Sequence, residues 1–547
     1  MSEAAAKPKV RQSLFARVFG DLAQTFRWSF LPPLMVYLAA GVSRLTSVVG
    51  TFFVKEYLDL SAAFLAGLAF WAGLPWVLKM PLGHLVDLIW RWKALLVWLG
   101  AGVIAASLLI MYALVAETET MRAIMPLSAW YVLAMLLAPS GYVIQDVVAD
   151  AMTVEAVPKT HPDGRALSEA DEKALHTTMQ TLGRFAILSG LVLVATINIA
   201  MFEGSEGLEA AARARLYARI FLIALCIPII SILGVLLAGF LGARGGDAVP
   251  FERSPQGKTK TARPSETGAR PNWAILGGGL AFVVFSIAIG LGDPPFAQEI
   301  IFAGSMAVVL FLIRRLLREL PPKRARALIG TAAIIFVFRA VPLPGPGLGW
   351  FQIDVLGFDE QFLSVLALIT SVLTLVGLIL LRPMMARRSI VWIVVMLTLA
   401  SALLALSNIG LVFGLDHWTA ALTGGVVDAR FIAILDTAAE SPLGQIAMVP
   451  MLAWIARNAP DHLKATFFAV MASFTNLALS ASSLTTRYAN EILVVTRAQR
   501  DPTSGIVAVP ADYAALGPLM IGVALVGFVA PLLAVLLVQG SRWRTTS

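Results

Sequence analysis

Asp146 and Asp150 stand four positions apart in QDVVADAM (residues 145–152), at the end of the apolar run LSAWYVLAMLLAPSGYVI. That spacing puts both carboxylates on one helical face. A charge at the centre of a membrane helix costs about 2.5–3.5 kcal/mol even on the gentler insertion scale, so such residues face a partner or a wet cavity. The chemistry open to the pair is exchange. A carboxylate that trades a cationic partner for water changes its proton affinity, which couples protonation to conformation. A static salt bridge between helices is the alternative use. Arg184, in TMQTLGRFAILSG, is expected at comparable depth on the next, antiparallel helix, facing Asp146. Asp150, one turn nearer the helix end, has Arg91, Lys79 or water within reach. Lys79 is expected near a span end, its ammonium snorkelling to water.

Two further arginines are predicted to lie deep. Arg44, in YLAAGVSRLTSVVG, and Arg339, in IIFVFRAVPLPG, each fall well inside an apolar run, near the bilayer midplane. Guanidinium groups in a wet cavity suit a planar, carboxylate-bearing ligand, because arginine offers both bidentate and stacking contacts. Pairing with Asp436 or Glu440, or snorkelling, is the structural alternative. The loop GHLVDLIWRWK carries Gly83, Asp87, Arg91 and Lys93. A glycine there permits close helix approach at a cavity mouth, and an acidic group at a helix end can bind and release a partner helix. A tight turn with ordinary loop charges is the plainer reading. Asn476 is expected to make an interhelical hydrogen bond, and PLPGPGLG (342–349) to break a span at its outer end.

The elements that must position these residues are membrane helices. The 547 residues are 58% hydrophobic and 14% charged, with a mean hydropathy of +0.80. A soluble domain carries about 25% charged residues. Apolar runs of about 20 residues recur, each long enough to cross the hydrocarbon layer as a helix. The net charge of +8 is a topology signal and not a nucleic-acid footprint. Its cations gather in alternate loops, as the positive-inside rule requires, with both termini cytoplasmic in a bacterial inner membrane. No removable leader is expected, the first 20 residues being polar and mixed. Cys226 is the only cysteine, so no intrachain disulfide is possible. The five histidines are scattered, and HExxH, GxSxG and GxxxxGK[ST] are all missing. No metal, cofactor or catalytic residue is therefore predicted, although a metal-assisted membrane enzyme using Asp146 and Asp150 stays formally open.

The predicted fold is all-α and polytopic, with about 14 transmembrane helices. Residues 1–242 form a six-helix bundle, 243–271 a polar cytoplasmic linker, 272–318 an inserted hairpin, and 327–547 a second six-helix bundle. Between the fourth and fifth spans, Ser168 and Asp171 have capping-box spacing. FFVKEYLDLSAAFLAGL (52–68) lies on WFQIDVLGFDEQFLSVL (350–366) at a fixed offset, matching five apolar positions and setting Glu56 against Asp354. Two parallel repeats joined by a cytoplasmic linker are the major facilitator architecture, with its substrate site between the halves.

Three first-half segments, FFVKEYLDLSAAFL, LPWVLKMPLGHLVD and DVVADAMTVE, resemble signatures of the folate–biopterin transporter family of that superfamily. VPMLAWIARNAPDHLKATFFAVMASFTNLALSASS (449–483) resembles its late helices. The resemblance implies a monomeric secondary transporter, a symporter with the proton as candidate coupling ion, moving a folate- or pterin-like organic anion by alternating access among membrane lipids. Arg44, Arg339 and Arg184 would then bind substrate. Asp146, Asp150, Gly83, Asp87, Arg91 and Lys93 would couple or gate. A muropeptide permease shares the QD-x-x-x-DA element, and a non-transporting assembly factor could use the same scaffold.

Overall fold

The structure, a computed structural model, describes residues 28–156, 169–243, 277–443, 464–500 and 507–545, apart from scattered positions within those ranges. The first half runs α1 (Leu31–Val42), α2 (Ser47–Tyr57), α3 (Ala62–Val77), α4 (Lys79–Leu88), α5 (Lys93–Ala116), α6 (Leu127–Ala156), α7 (Glu169–Phe202), α8 (Ala210–Ala224) and α9 (Cys226–Ala243). The first span is not continuous: a 3-10 segment, Ser43–Thr46, separates α1 from α2. Such a break exposes backbone carbonyls inside hydrocarbon, where they must find donors. Asn198 on α7 donates to the Leu45 carbonyl (3.2 Å), and Ser43 and Ser47 bond the carbonyls of Ala40 (2.6 Å) and Arg44 (2.7 Å).

Small residues let these helices approach closely. A Cβ on Gly100 of α5 would lie 2.7 Å from the Gly141 carbonyl oxygen of α6, and one on Gly141 would lie 2.7 Å from that of Gly100. Gly190 of α7 likewise backs onto the Leu38 carbonyl of α1. Such small-residue crossings are how membrane helices gain contact without a hydrophobic driving force. Across the same seam Gln145 of α6 donates to the Val97 carbonyl (3.2 Å) and accepts from Ser231 of α9 (3.0 Å).

The second half follows an inserted helix, α10 (Ala297–Leu317). It comprises α11 (Pro322–Arg339), α12 (Pro346–Asp354), α13 (Glu360–Leu380), α14 (Ile390–Val412), α15 (Ala429–Glu440), α16 (Lys464–Ile492) and α17 (Leu516–Gln539). The break between α11 and α12 falls where PLPGPGLG places it. Its freed backbone is stitched by one face of α16: Ser482 to Val341 O (2.6 Å), Thr486 to Leu343 N (2.9 Å) and Asn490 to Pro344 O (3.3 Å). Among the described residues, ten stretches are long and apolar enough to span a membrane, against about fourteen expected. Of the others, the broken α11–α12 pair, the short α15 and the polar α16 are helical, whereas most of 273–292 lies outside the described residues. A small antiparallel ribbon, β1 (Gln499–Arg500) with β2 (Val507–Val509), is an addition to the all-helical expectation. Residues 244–271 of the expected linker are also outside the described residues, as is Ser168, although α7 begins at the next residue.

The halves meet along two antiparallel seams, α3 against α16 and α7 against α13. Asn476 donates to Trp76 O (3.5 Å), while Gly67, at the other end of α3, lies against Arg487. Glycine contacts predict a specific cost. Gly100→Val should displace α5 from α6 and lower the thermal unfolding midpoint of the detergent-solubilised protein by several degrees. Gly102→Val, whose Cβ meets nothing within 4 Å, should leave the midpoint unchanged.

Candidate functional site

Four elements of the first half converge on one ionic cluster. Lys79 opens α4 and reaches both carboxylates of α6, Asp146 at 2.5 Å and Asp150 at 2.7 Å. The other oxygen of Asp150 accepts from the Tyr37 hydroxyl on α1 at 2.7 Å. The spacing of the two aspartates on one helical face is what allows a single ammonium to bridge them. The expected opposition of Arg184 to Asp146 is not the geometry found. Arg184 on α7 is close enough for its charge to act on Asp146 and Tyr37, but among the described residues it forms no salt bridge with either aspartate. Nor does Lys79 snorkel: two carboxylates in the bundle offer it more than interfacial water does. One lysine against two aspartates leaves an excess negative charge in the cluster. The side chain of Asp150 is 47% exposed against 20% for Asp146, so Asp150 is the member that water reaches more readily.

A polar stripe leads away from this cluster along the first span. Tyr37, Arg44, Ser47, Thr51 and Lys55 recur at helical spacing, and the middle three are exposed. One end of the stripe bonds Asp150. At the other end, Lys55 pairs with Asp354 of α12 at 2.5 Å, crossing between the halves. The exposed Arg44, Ser47 and Thr51 lie between these two anchored ends of the first span. Two more cross-half ties, and one bond within the second half, surround Lys55. Tyr217 donates to the buried Glu360 (2.6 Å) and Arg497 to the Leu60 carbonyl (3.3 Å), while Tyr513 donates to Asp354. Burial, reinforced by Asp354, pushes the Tyr513 phenol well up, so it remains a donor at physiological pH.

Arg339 ends α11 at the helix break. It is partly buried, and its Nε has no hydrogen-bond partner. Neither proposed carboxylate partner holds it: Asp436 accepts from Asn408 (2.7 Å), and Glu440 is exposed. The loop motif is dispersed. Gly83 and Asp87 lie on α4, and among the described residues a Cβ on Gly83 would meet nothing within 4 Å. Lys93, expected as a loop charge, is 1% exposed at the start of α5. Arg91 and the Asp87 side chain lie outside the described residues. Sequence reasoning assigned no role to Tyr37, Lys55, Asp354 or Glu360. Signals existed for two of them: the two-turn spacing of Tyr37 from Arg44, and the repeat that set Asp354 against Glu56. Among the described residues no group of three or more histidine, cysteine or acidic side chains is placed to hold a metal.

Known structures share this architecture. A POT family transporter solved with 5-aminolevulinic acid superposes with a TM-score of 0.60 at 14% identity, over 93% of this chain and 95% of that one. The nucleoside transporter NupG does so with a TM-score of 0.53 at 12% identity, over 93% and 99%. Two helical halves meeting along polar seams give this chain the fold of these proteins, in an integral, multi-pass membrane protein. Its family resemblance is then specific. The BT1 family model matches residues 303–536. A folate-biopterin transporter of Synechocystis sp. is 23% identical over 455 residues, 82% of this chain and 72% of that one.

The lysine bridge makes a quantitative prediction. Lys79→Met leaves two carboxylates to repel one another in the bundle and should cost about 1–3 kcal/mol, the penalty of stranding partly buried polar groups. Lys79→Met combined with Asp146→Asn should recover much of that loss, giving a non-additive double-mutant cycle in thermal unfolding. Additive losses would show that the two side chains do not interact.

Proposed function

We propose that the protein is a secondary transporter that moves a folate- or pterin-like organic anion by alternating access, with no chemical turnover and with protons as the coupling ion. The observation that carries the substrate reading is Arg339: a partly buried guanidinium at a helix break, with Nε unpartnered. A cation held this way in a membrane interior is under-compensated, and an anionic ligand completes it. Arg44 on the polar stripe would supply a second contact and Arg184 a third. The folate-biopterin transporter relative supports a pteridine bearing a carboxylate.

Coupling is assigned to Asp146 and Asp150. Protonation of the wetter Asp150 would free Lys79 to hold Asp146 alone and would loosen the Tyr37 tie to α1. The opposite mouth is held by Lys55–Asp354 and Tyr217–Glu360, while Gly83, Asp87, Arg91 and Lys93 would gate the mouth at the terminus-bearing end. That end carries the basic loops and is assigned to the cytoplasm of a bacterial inner membrane. The transporter is proposed to act as a monomer.

Uptake by the purified protein in proteoliposomes tests these assignments. Folate should accumulate faster under an acid-outside gradient, and Asp146→Asn should abolish that stimulation while the protein stays inserted. Rates indifferent to the gradient would remove proton coupling, and accumulation of a muropeptide instead of a pteridine would replace the substrate. Arg44→Ala and Arg339→Ala should each weaken folate binding about 10-fold or more, the value of a charge-assisted hydrogen bond. Binding of a neutral pterin should change far less. Equal losses for both ligands would assign these arginines a structural role.

A further inference from the structure

One corner of the terminus-bearing end concentrates positive charge that the transport cycle does not use. The last turn of α10 carries Arg314 and Arg315, with Arg318 just beyond it; the first turns of α11 carry Lys323, Arg324 and Arg326. All six are exposed. The chain after α17 folds back to the same place. Thr545 bonds Thr331 of α11 (2.9 Å), and the Trp543 carbonyl lies so close to Gly330 that a Cβ there could not be accommodated. This brings in Arg542 and Arg544, also exposed. Among the described residues none of the eight cations forms a salt bridge. Arg326 bonds only a backbone carbonyl, that of Pro322 (3.2 Å), and Arg542 stacks over Trp543 at 5.5 Å. The stretch 314–326 contains one acidic residue, Glu319, and the stretch 516–547 contains none.

Topology alone needs a few basic residues per loop, not eight brought together by a tertiary fold-back. Like charges this dense require counter-ions from outside the chain. The walls above the patch indicate their source. Leu312, Ile313 and Leu317 of α10 pack against Leu328 of α11 and Val535 and Val538 of α17. Phe311, Leu536 and Leu537 on the same helices are left exposed. Cations at the end of the helices with apolar surface directly above match an anionic headgroup and its acyl chains. Trp543, part-exposed in the fold-back, is of the residue type enriched at membrane interfaces.

We infer that this corner, built by α10, α11 and the segment after α17, is a binding site for an anionic phospholipid, best filled by a headgroup with two phosphates. The inserted helix is thereby pinned to the second half.

Lipid retention by the full-length protein, read by native mass spectrometry, tests the site. After incubation with equimolar tetraoleoyl cardiolipin and dioleoyl phosphatidylcholine, cardiolipin should be retained about tenfold over phosphatidylcholine. Raising the salt concentration should release it. Arg318→Gln, Lys323→Gln, Arg324→Gln and Arg326→Gln combined should bring the ratio toward one. Equal retention of both lipids by the unmodified protein overturns the site, whatever the variant does. So does displacement of cardiolipin by inorganic phosphate alone, which would assign the cations to a soluble anion.

Discussion

Lys79 between Asp146 and Asp150 expresses the constraint on which the rest of the structure depends. A formal charge withdrawn into a bundle in hydrocarbon needs a counter-charge within a few ångströms. Small-residue crossings pack the helices that carry it against their neighbours. Gly190 against Leu38 sets α1 beside α7, and Gly100 against Gly141 sets α5 beside α6. The ionic cluster thus rests on apolar packing, and the packing in turn fixes which cation the aspartates meet.

The same constraint governs the backbone. Both the first span and the seventh core span break near their middle, and each break is covered by polar side chains of another helix: Asn198 at Leu45, and the Ser482–Thr486–Asn490 face of α16 at residues 341–344. Arg44 lies within the first break and Arg339 immediately before the second. Helix interruptions near the midplane, satisfied by neighbours, are where transporters place their ligands. α16 therefore serves the seventh-span break and the seam with α3 at once, so a movement of one half against the other reaches the break directly.

Polar ties between the halves gather at the end away from the termini. Lys55–Asp354, Tyr217–Glu360 and Arg497–Leu60 each join a residue of one half to a residue of the other. All are hydrogen bonds or ion pairs, which water can replace one at a time. A purely apolar seam would separate only by exposing its whole area, whereas polar ties of this kind can exchange partners. That is the property a mouth that opens and closes requires.

Hydropathy and loop charge determined the class of protein, because long apolar runs and asymmetric cations follow from the bilayer itself and need no tertiary information. The repeat and the family signatures added the two-half plan, and the i, i+4 spacing of Asp146 and Asp150 was enough to place them on one face. Partner choice was decided only in three dimensions. Arg184 and Lys79 are both cations at plausible depth, and what separates them is where α4 and α7 lie against α6, which is set by packing between residues far apart in the chain. For the same reason Lys93 read as a loop charge and proved buried, and the eight cations at the corner of α10 and α11 belong in sequence to one loop and to the chain's last residues, which the fold-back at Trp543 joins. Spacing along one helix is local geometry, whereas the angle between two helices is set by every side chain packed in their crossing.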